Sequence, residues 1–420
     1  MDLFKAENFI WATGIEDTFI PQVRPGLRNL DEYALMQHYE QWKSDFDLIA
    51  DTGVQALRWG IPWYRVQPAP NQWDWHWVDA ALDYLVNVKG ITPLIDLMHY
   101  GTPLWLDNSF INHSYPQRVA EYAYAVAERY HSIIRYYTPM NEPMINAGGS
   151  GYDGYWPPYL TGYDGYARLI LALSKGIICT LQALKAAQPD AVTIQVESIW
   201  KLYTSHEEIR PKVEMHNTRK YLAFDLTTGR VDENHLLFSW LREYGATDAD
   251  FVWFQDNAIK YDIFGANFYP WSYGPARVRK HTGGIYRHPV RTQGSVIGDL
   301  LAEVYDRYHM PIMITETSSL GTVGTRADWM DSTIQTVHDL RLRGIPVVGY
   351  TWFPFFSMIS WNYRYGRKPL AHYLINLGIY DVVLDNDGKM RRIPTSLVDR
   401  FNDHISQPMP LVEQARTFDE

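Results

Sequence analysis

One cysteine in 420 residues, Cys179, excludes an internal disulfide and any cysteine-rich metal site. It lies in an apolar helical stretch, where a lone thiol packs as a small hydrophobe. No His-x-x-x-His or His-Glu-x-x-His spacing sits near the ends of the strand-like runs, so no metal centre is expected. Positive charge is in deficit, 38 Lys and Arg against 48 Asp and Glu. The resulting net charge of −10 argues against nucleic acid as a partner. Met1 to Glu7 lacks a basic segment followed by an apolar run, and no stretch reaches the roughly 18 apolar residues of a membrane span. The expectation is a cytoplasmic protein without a membrane partner. No Gly-x-Gly-x-x-Gly follows the first strand, which counts against a dinucleotide-binding fold, and no cofactor is expected. No low-complexity linker or fixed-period repeat interrupts the chain, so residues 1–420 read as one domain; the oligomeric state stays open.

Aromatic residues are abundant: 15% of the chain, with 16 Trp and 30 Tyr. Many fall where strands meet loops. A flat apolar face with a polar tip is what a sugar ring stacks on. Hydrophobic content of 46% supplies one large core. Eight strand-like runs, near residues 9–13, 54–61, 91–98, 136–143, 191–198, 263–269, 310–317 and 347–353, alternate with helical patterns. The helices are expected over about 31–49, 75–89, 116–132 and 165–187, then from beyond 291 to about 309, and over 326–343. A long, mostly helical connection covers about 200–257, a basic loop 277–291, and an aromatic loop the stretch through Trp361 and Tyr365. Such alternation implies a parallel sheet, and eight units favour a single (β/α)8 TIM barrel.

In such a barrel the groups that do chemistry sit at the carboxyl ends of strands. Those ends carry Glu16, Asp17, Arg58, His99, Tyr100, Asn141, Glu142, Glu197, Asn267, Tyr269, Glu316 and Trp352. Two runs share one design: Tyr136-Tyr137-Thr138-Pro139-Met140-Asn141-Glu142-Pro143 and Met310-Pro311-Ile312-Met313-Ile314-Thr315-Glu316-Thr317 each end an apolar strand in a glutamate. Cleaving a glycosidic bond with retention needs one carboxylic acid for the leaving oxygen and one carboxylate for the anomeric carbon, about 5–5.5 Å apart. The acid needs burial or a negative neighbour to hold its proton, and the nucleophile needs a cation such as Arg58. Glu197 is the rival carboxylate, read as an ion-pair or supporting residue.

The motifs carry a resemblance. Thr138-Pro139-Met140-Asn141-Glu142-Pro143 resembles the Thr-x-Asn-Glu-Pro signature of glycoside hydrolase family 1, with the Thr displaced by one residue. Ile314-Thr315-Glu316-Thr317 is similar to its Ile-Thr-Glu-Asn. The stretch from Leu57 to Pro68 resembles Arg-Phe-Ser-x-x-Trp-x-Arg-x-x-Pro, and that from Met98 to Leu106 resembles His-Trp-x-x-Pro-x-Trp-Leu. Asn267-Phe268-Tyr269 and Gly349-Tyr350-Thr351-Trp352 also fit, so six motifs follow in order along nearly the whole chain.

The resemblance implies a retaining β-glycosidase acting on a small-molecule or oligosaccharide glycoside, with Glu142 as acid/base and Glu316 as nucleophile. It further implies that Arg58 and Tyr269 contact the nucleophile and that His99, Asn141 and Trp352 line the sugar subsite. The chain departs from the family where a Gln normally grips the sugar, leaving Glu16 as the candidate. It departs again where Asn-Phe-Glu-Trp is replaced by Met358-Ile359-Ser360-Trp361, removing a carboxylate that binds outer hydroxyls. Ser360, followed by Arg367 and Lys368, is similar to the 6-phospho-glycosidase branch, and Trp361 is a candidate stacking residue. A carbohydrate-binding pseudoenzyme and a transglycosidase are the alternatives.

Overall fold

The structure is a computed structural model describing residues 8–279 and 284–412. The amino-terminal heptapeptide and the middle of the 277–291 loop therefore lie outside the described residues.

Eight strands close into a parallel barrel: β1 (Ile10–Gly14), β2 (Ala56–Gly60), β3 (Thr92–Asp96), β4 (Tyr136–Thr138), β5 (Val192–Ser198), β6 (Ile263–Asn267), β7 (Ile312–Thr317) and β8 (Val347–Trp352). Each strand pairs with its neighbours in sequence, and β1 closes on β8 through Ile10 opposite Gly349 and Thr13 opposite Trp352. This is the expected (β/α)8 architecture. Side chains alternate across each strand. Ile10, Ala12, Ala56, Leu94, Tyr136, Ile194, Val196, Ile263, Met313 and Val348 fill the barrel interior. Leu57, Trp59, Ile95, Tyr137 and Ile314 face a larger apolar layer beneath the helices.

The surrounding helices include α1 (His38–Ala50), α2 (His76–Asp83), α3 (Tyr115–Tyr130), α4 (Gly162–Ala187), α5 (Asp248–Asp256), α6 (Ile297–Tyr308), α7 (Val323–Leu342) and α8 (Leu397–Ile405). Contrary to the sequence reading, α4 is long and apolar enough by length and composition to cross a membrane. Leu169, Ile170, Leu173, Ile177 and Ile178 are buried on it, which spends that apolarity inside the fold.

Several expected boundaries shift for physical reasons. Asp31 does cap a helix, accepting from the Ala34 N–H at 3.0 Å, but the helix stops after Leu35 because Gln37 takes a left-handed conformation (φ 57°). The fourth strand ends at Thr138 rather than at Pro143. Pro143 instead opens a short helix, Pro143–Asn146, where its missing N–H is no loss. The 200–257 connection begins with a strand, Lys201–Tyr203, paired with Tyr273–Val278, which in turn pairs with Ile285–Arg287; part of the expected basic loop is thus sheet. A hairpin, Tyr380–Leu384 with Met390–Pro394, occupies the stretch after the aromatic loop.

Candidate active site

Arg58 shares the inward face of β2 with Ala56 and is 2% exposed. Its guanidinium pairs with Glu316, with Asp96 at 2.5 Å, and with the Asn141 carbonyl oxygen at 2.7 Å. A buried cation requires such partners, and Arg58 thereby ties the ends of β2, β3, β4 and β7 together.

Glu316 reaches the mouth through an irregularity in β7. Ile314 and Glu316 oppose consecutive residues, Ala266 and Asn267, on β6, while Ile314 and Thr317 oppose Tyr350 and Trp352 on β8. The extra residue re-aims the side chain, a common use of bulges beside functional sites. One Glu316 oxygen pairs with Arg58; the other accepts from the Tyr269 hydroxyl at 2.7 Å.

Glu142 stands at the turn between β4 and the Pro143–Asn146 helix, in a left-handed conformation (φ 41°, ψ 62°). Its carboxyl accepts from the Tyr100 hydroxyl and from Asn267 Nδ2 at 3.1 Å. Burial, followed by the nearby Glu316 charge, pushes its pKa up to about 7 against the lowering effect of those two donors. The two glutamates thus occupy opposite environments: Glu142 is set among neutral donors beside a negative charge, whereas Glu316 is clamped by a guanidinium and a phenol.

Asn141 is fully buried and sits between them. Its carbonyl oxygen accepts from Arg58 and from Asn267 at 3.1 Å, and its amide N–H groups donate to His99 Nε2 at 2.8 Å and to the Tyr100 hydroxyl at 2.9 Å. The other ring nitrogen, Nδ1, faces Asp17 at 2.8 Å. Glu16 lies 3.8 Å from His99 Nε2 and is held by the Thr18 hydroxyl and the Thr18 N–H at 3.2 Å. Burial lifts its pKa to about 7.

These groups open onto one cleft of about 650 Å³, within the range of small-molecule sites. Its walls include Glu16, His99, Tyr100, Glu142, Trp200, Tyr269, Trp271, Glu316, Leu320, Met358, Ser360, Trp361 and Leu377. Of the residues singled out by sequence, Glu16, His99, Glu142, Tyr269, Glu316, Ser360 and Trp361 line the cleft together. Arg58 and Asn141 lie directly beneath it.

Trp352 is a correction. It is fully buried in the layer shared with Tyr350 and Phe355, and its indole N–H donates to the Leu377 carbonyl at 3.1 Å. A register irregularity early in β8, between Val347 and Gly349, puts Tyr350 and Trp352 on the outer face. The aromatic that approaches the site from this strand is the next residue, Phe353, whose ring centroid lies 5.3 Å from the Arg58 guanidinium carbon. Ser360 caps the short Trp361–Arg364 helix, and Lys368 contacts His372 at 2.9 Å on the exposed surface; neither Arg367 nor Lys368 borders the cleft. Glu197 shares the outward face of β5 with Gln195, which donates to it at 3.2 Å. Its place outside the barrel fits the supporting role.

Sequence reasoning passed over Asp96 and Trp271, and placed Tyr100 at a strand end without giving it a role. Asp96 neutralises Arg58, Tyr100 holds Glu142, and Trp271 stacks on Tyr269 with centroids 4.7 Å apart. Asp96 was legible as an inward residue of β3 two positions after Leu94. Asp17, Asp96 and His99 are the one cluster among the described residues with metal-ligand spacing, and one Asp96 oxygen of it pairs with Arg58.

Residues 12–204 match the family described as Glycosyl hydrolase family 1. β-Glucosidase A of Thermotoga maritima is 23% identical over 361 residues, 79% of this chain and 80% of that protein. β-Glucosidase 14 of Arabidopsis thaliana is 25% identical over 377 residues, covering 78% and 75%. Among solved structures, the family 1 β-glucosidase from Thermotoga maritima superposes with a TM-score of 0.83 at 19% identity, over 95% of this chain and 97% of that one. The Thermotoga maritima β-glucosidase in complex with deoxynojirimycin superposes with a TM-score of 0.81 over 94% and 97%.

Proposed function

We propose that this chain, whose residues 12–204 match glycosyl hydrolase family 1, is a glycosidase that hydrolyses β-linked glycosides with retention through a glycosyl–Glu316 ester. The observation that carries this reading is the pairing of two cleft glutamates in opposed environments. In the first step Glu316 attacks the anomeric carbon while the Glu142 proton passes to the departing oxygen. The bond from carbon to the leaving oxygen breaks as the ester forms. In the second step water attacks the same carbon, its proton returns to Glu142, and Glu316 leaves as a carboxylate. Arg58 and Tyr269 hold the Glu316 carboxylate, and His99 and Glu16 face the glycone with Asn141 directly beneath.

The cleft lining carries no arginine or lysine among the described residues, while three carboxyl groups border it. That balance favours an uncharged glycone over a phosphorylated or uronic one, because an anionic substituent would meet carboxyl groups with no cation in the wall.

Glu316→Gln should abolish release from aryl β-glycosides. Glu142→Ala should slow substrates with poor leaving groups by about 10²- to 10⁴-fold, with azide restoring part of the rate on good ones. Undiminished turnover in Glu316→Gln would refute the assignment. Product analysis with and without an added sugar acceptor separates hydrolysis from transglycosylation.

A further inference from the structure

Glu16 is 7% exposed and forms part of the cleft wall. Its Oε1 accepts from the Thr18 hydroxyl and from the Thr18 N–H at 3.2 Å. Its Oε2 has no hydrogen-bond donor among the described residues and is not sealed off by protein, so it opens to the cleft. The basic side chain in ion-pair range among the described residues is His99, 3.8 Å from Oε1, and that ring already stands 2.8 Å from Asp17 and 3.3 Å from Asp96. Thr18 also joins Glu16 to a second carboxyl, because its carbonyl accepts from the Glu32 N–H at 3.1 Å. Glu32 is fully buried; its Oε2 accepts from the Ile359 N–H at 3.0 Å, and its Oε1 has no partner among the described residues. Burial, followed by the Glu16 charge, holds the Glu32 carboxyl well above the usual range.

Six carboxyl groups therefore gather at this end of the barrel: Glu16, Asp17, Glu32, Asp96, Glu142 and Glu316. The basic side chains paired with them among the described residues are Arg58 and His99, and Arg58 is taken up by Glu316 and Asp96. With Glu32 and Glu142 protonated, six less two leaves four carboxylates against at most two cations. Charge in a cleft walled by protein is weakly screened, so the excess attracts a cationic group. A sugar hydroxyl would satisfy Glu16 Oε2 and leave the excess in place. An ammonium supplies three donors and a positive charge at once.

We propose that the preferred substrates are β-glycosides of amino-deoxy sugars, whose amine is held as an ammonium on Oε2 of Glu16. The inference rests on the glycosidase reading above, in which Glu16 and His99 face the glycone. The amine belongs away from the reacting carbon. Positive charge develops at the anomeric carbon in the transition state, and an ammonium at C2 would oppose it. C3, C4 and C6 are the positions that bring the cation to Glu16 without that penalty.

The test compares kcat/KM at neutral pH for 4-nitrophenyl β-glycosides in the gluco and galacto configurations with their 3-amino-3-deoxy, 4-amino-4-deoxy and 6-amino-6-deoxy analogues. In the unmodified protein at least one amino probe should exceed its neutral parent tenfold or more. The free amino sugar of that probe should inhibit release at a concentration at least tenfold lower than the corresponding neutral sugar. Glu16→Gln keeps the size of the side chain and removes its charge, and it should cut the amino-to-neutral ratio at least tenfold. Neutral probes that outpace every amino analogue in the unmodified protein, or an amino preference that persists in Glu16→Gln, would overturn the proposal and leave the parent reading intact. No release from any aryl β-glycoside, neutral or amino, would overturn both.

Discussion

At the scale of single residues, the site turns on how two neighbouring carboxyl groups are given different surroundings. Burial and the Glu316 charge raise the Glu142 pKa; the donors Tyr100 and Asn267 pull the other way because they favour the carboxylate. The sum places Glu142 near 7, so the protonated fraction, and with it the first chemical step, declines as pH rises through that value. Removing the Tyr100 hydroxyl removes a lowering influence. Tyr100→Phe should therefore move the basic limb of the kcat/KM profile to higher pH. The profile on an aryl glycoside with a poor leaving group checks this, and a limb that stays in place or moves down contradicts Glu142 as the acid. Arg58 is the converse case. It meets Asp96, Glu316 and Asn141 at once, so charge balance in the barrel mouth depends on it.

At the scale of elements, the turns after β4 and along β7 do what the strands alone cannot. Glu142 is left-handed, a conformation that costs a residue bearing a Cβ about 1–2 kcal/mol. Pro143 reinforces it by disfavouring the right-handed helical region in the residue before it. Glycine escapes that cost but loosens the unfolded chain, so Glu142→Gly should be more stable than Glu142→Ala by about 1 kcal/mol. Urea unfolding of the two variants measures the difference; equal midpoints would mean the turn stores no strain.

The same elements show what can be read from sequence and what cannot. The apolar runs ending in Glu142 and Glu316, with strand–helix alternation around them, point directly to a barrel with both glutamates at its rim. The bulge in β7 leaves no signature in Ile312–Thr317, and the irregularity in β8 that turns Trp352 outward leaves none in Val347–Trp352, since each depends on register against neighbouring strands. Strict alternation from Val348 would put Trp352 on the inner face, and it is wrong by that one shift. The π-helical turn Ala147–Tyr152 reads as loop because its glycines argue against any helix. The hairpin Tyr380–Leu384 with Met390–Pro394 was missed, although the Asp385-Asn386-Asp387-Gly388 turn between two strand-like runs signals one.

At the scale of the whole molecule, a cylinder divides its labour between two ends: side chains that meet substrate gather at the carboxyl end, and the opposite end carries closure. Arg341, near the end of α7, belongs to the second group. It is 1% exposed, and its guanidinium donates to the carbonyls of Val347 at 2.5 Å, Asn8 at 3.3 Å and Pro410 at 2.6 Å. Those carbonyls belong to the start of β8, a residue two positions before β1, and the segment after α8, so one side chain ties the two strands that close the barrel to the carboxyl-terminal stretch. Arg341→Met keeps much of the aliphatic volume and removes the donors. It should lower the free energy of unfolding by about 3 kcal/mol, the scale of charged hydrogen bonds lost from buried carbonyls. Because Val347 and Trp352 lie at opposite ends of β8, kcat/KM of the folded variant should remain within twofold of the parent. Urea unfolding followed by kinetics at a temperature where the variant is fully folded distinguishes the outcomes. A large loss of kcat/KM without loss of stability would mean that the closing end of the barrel also sets the geometry of the glutamates.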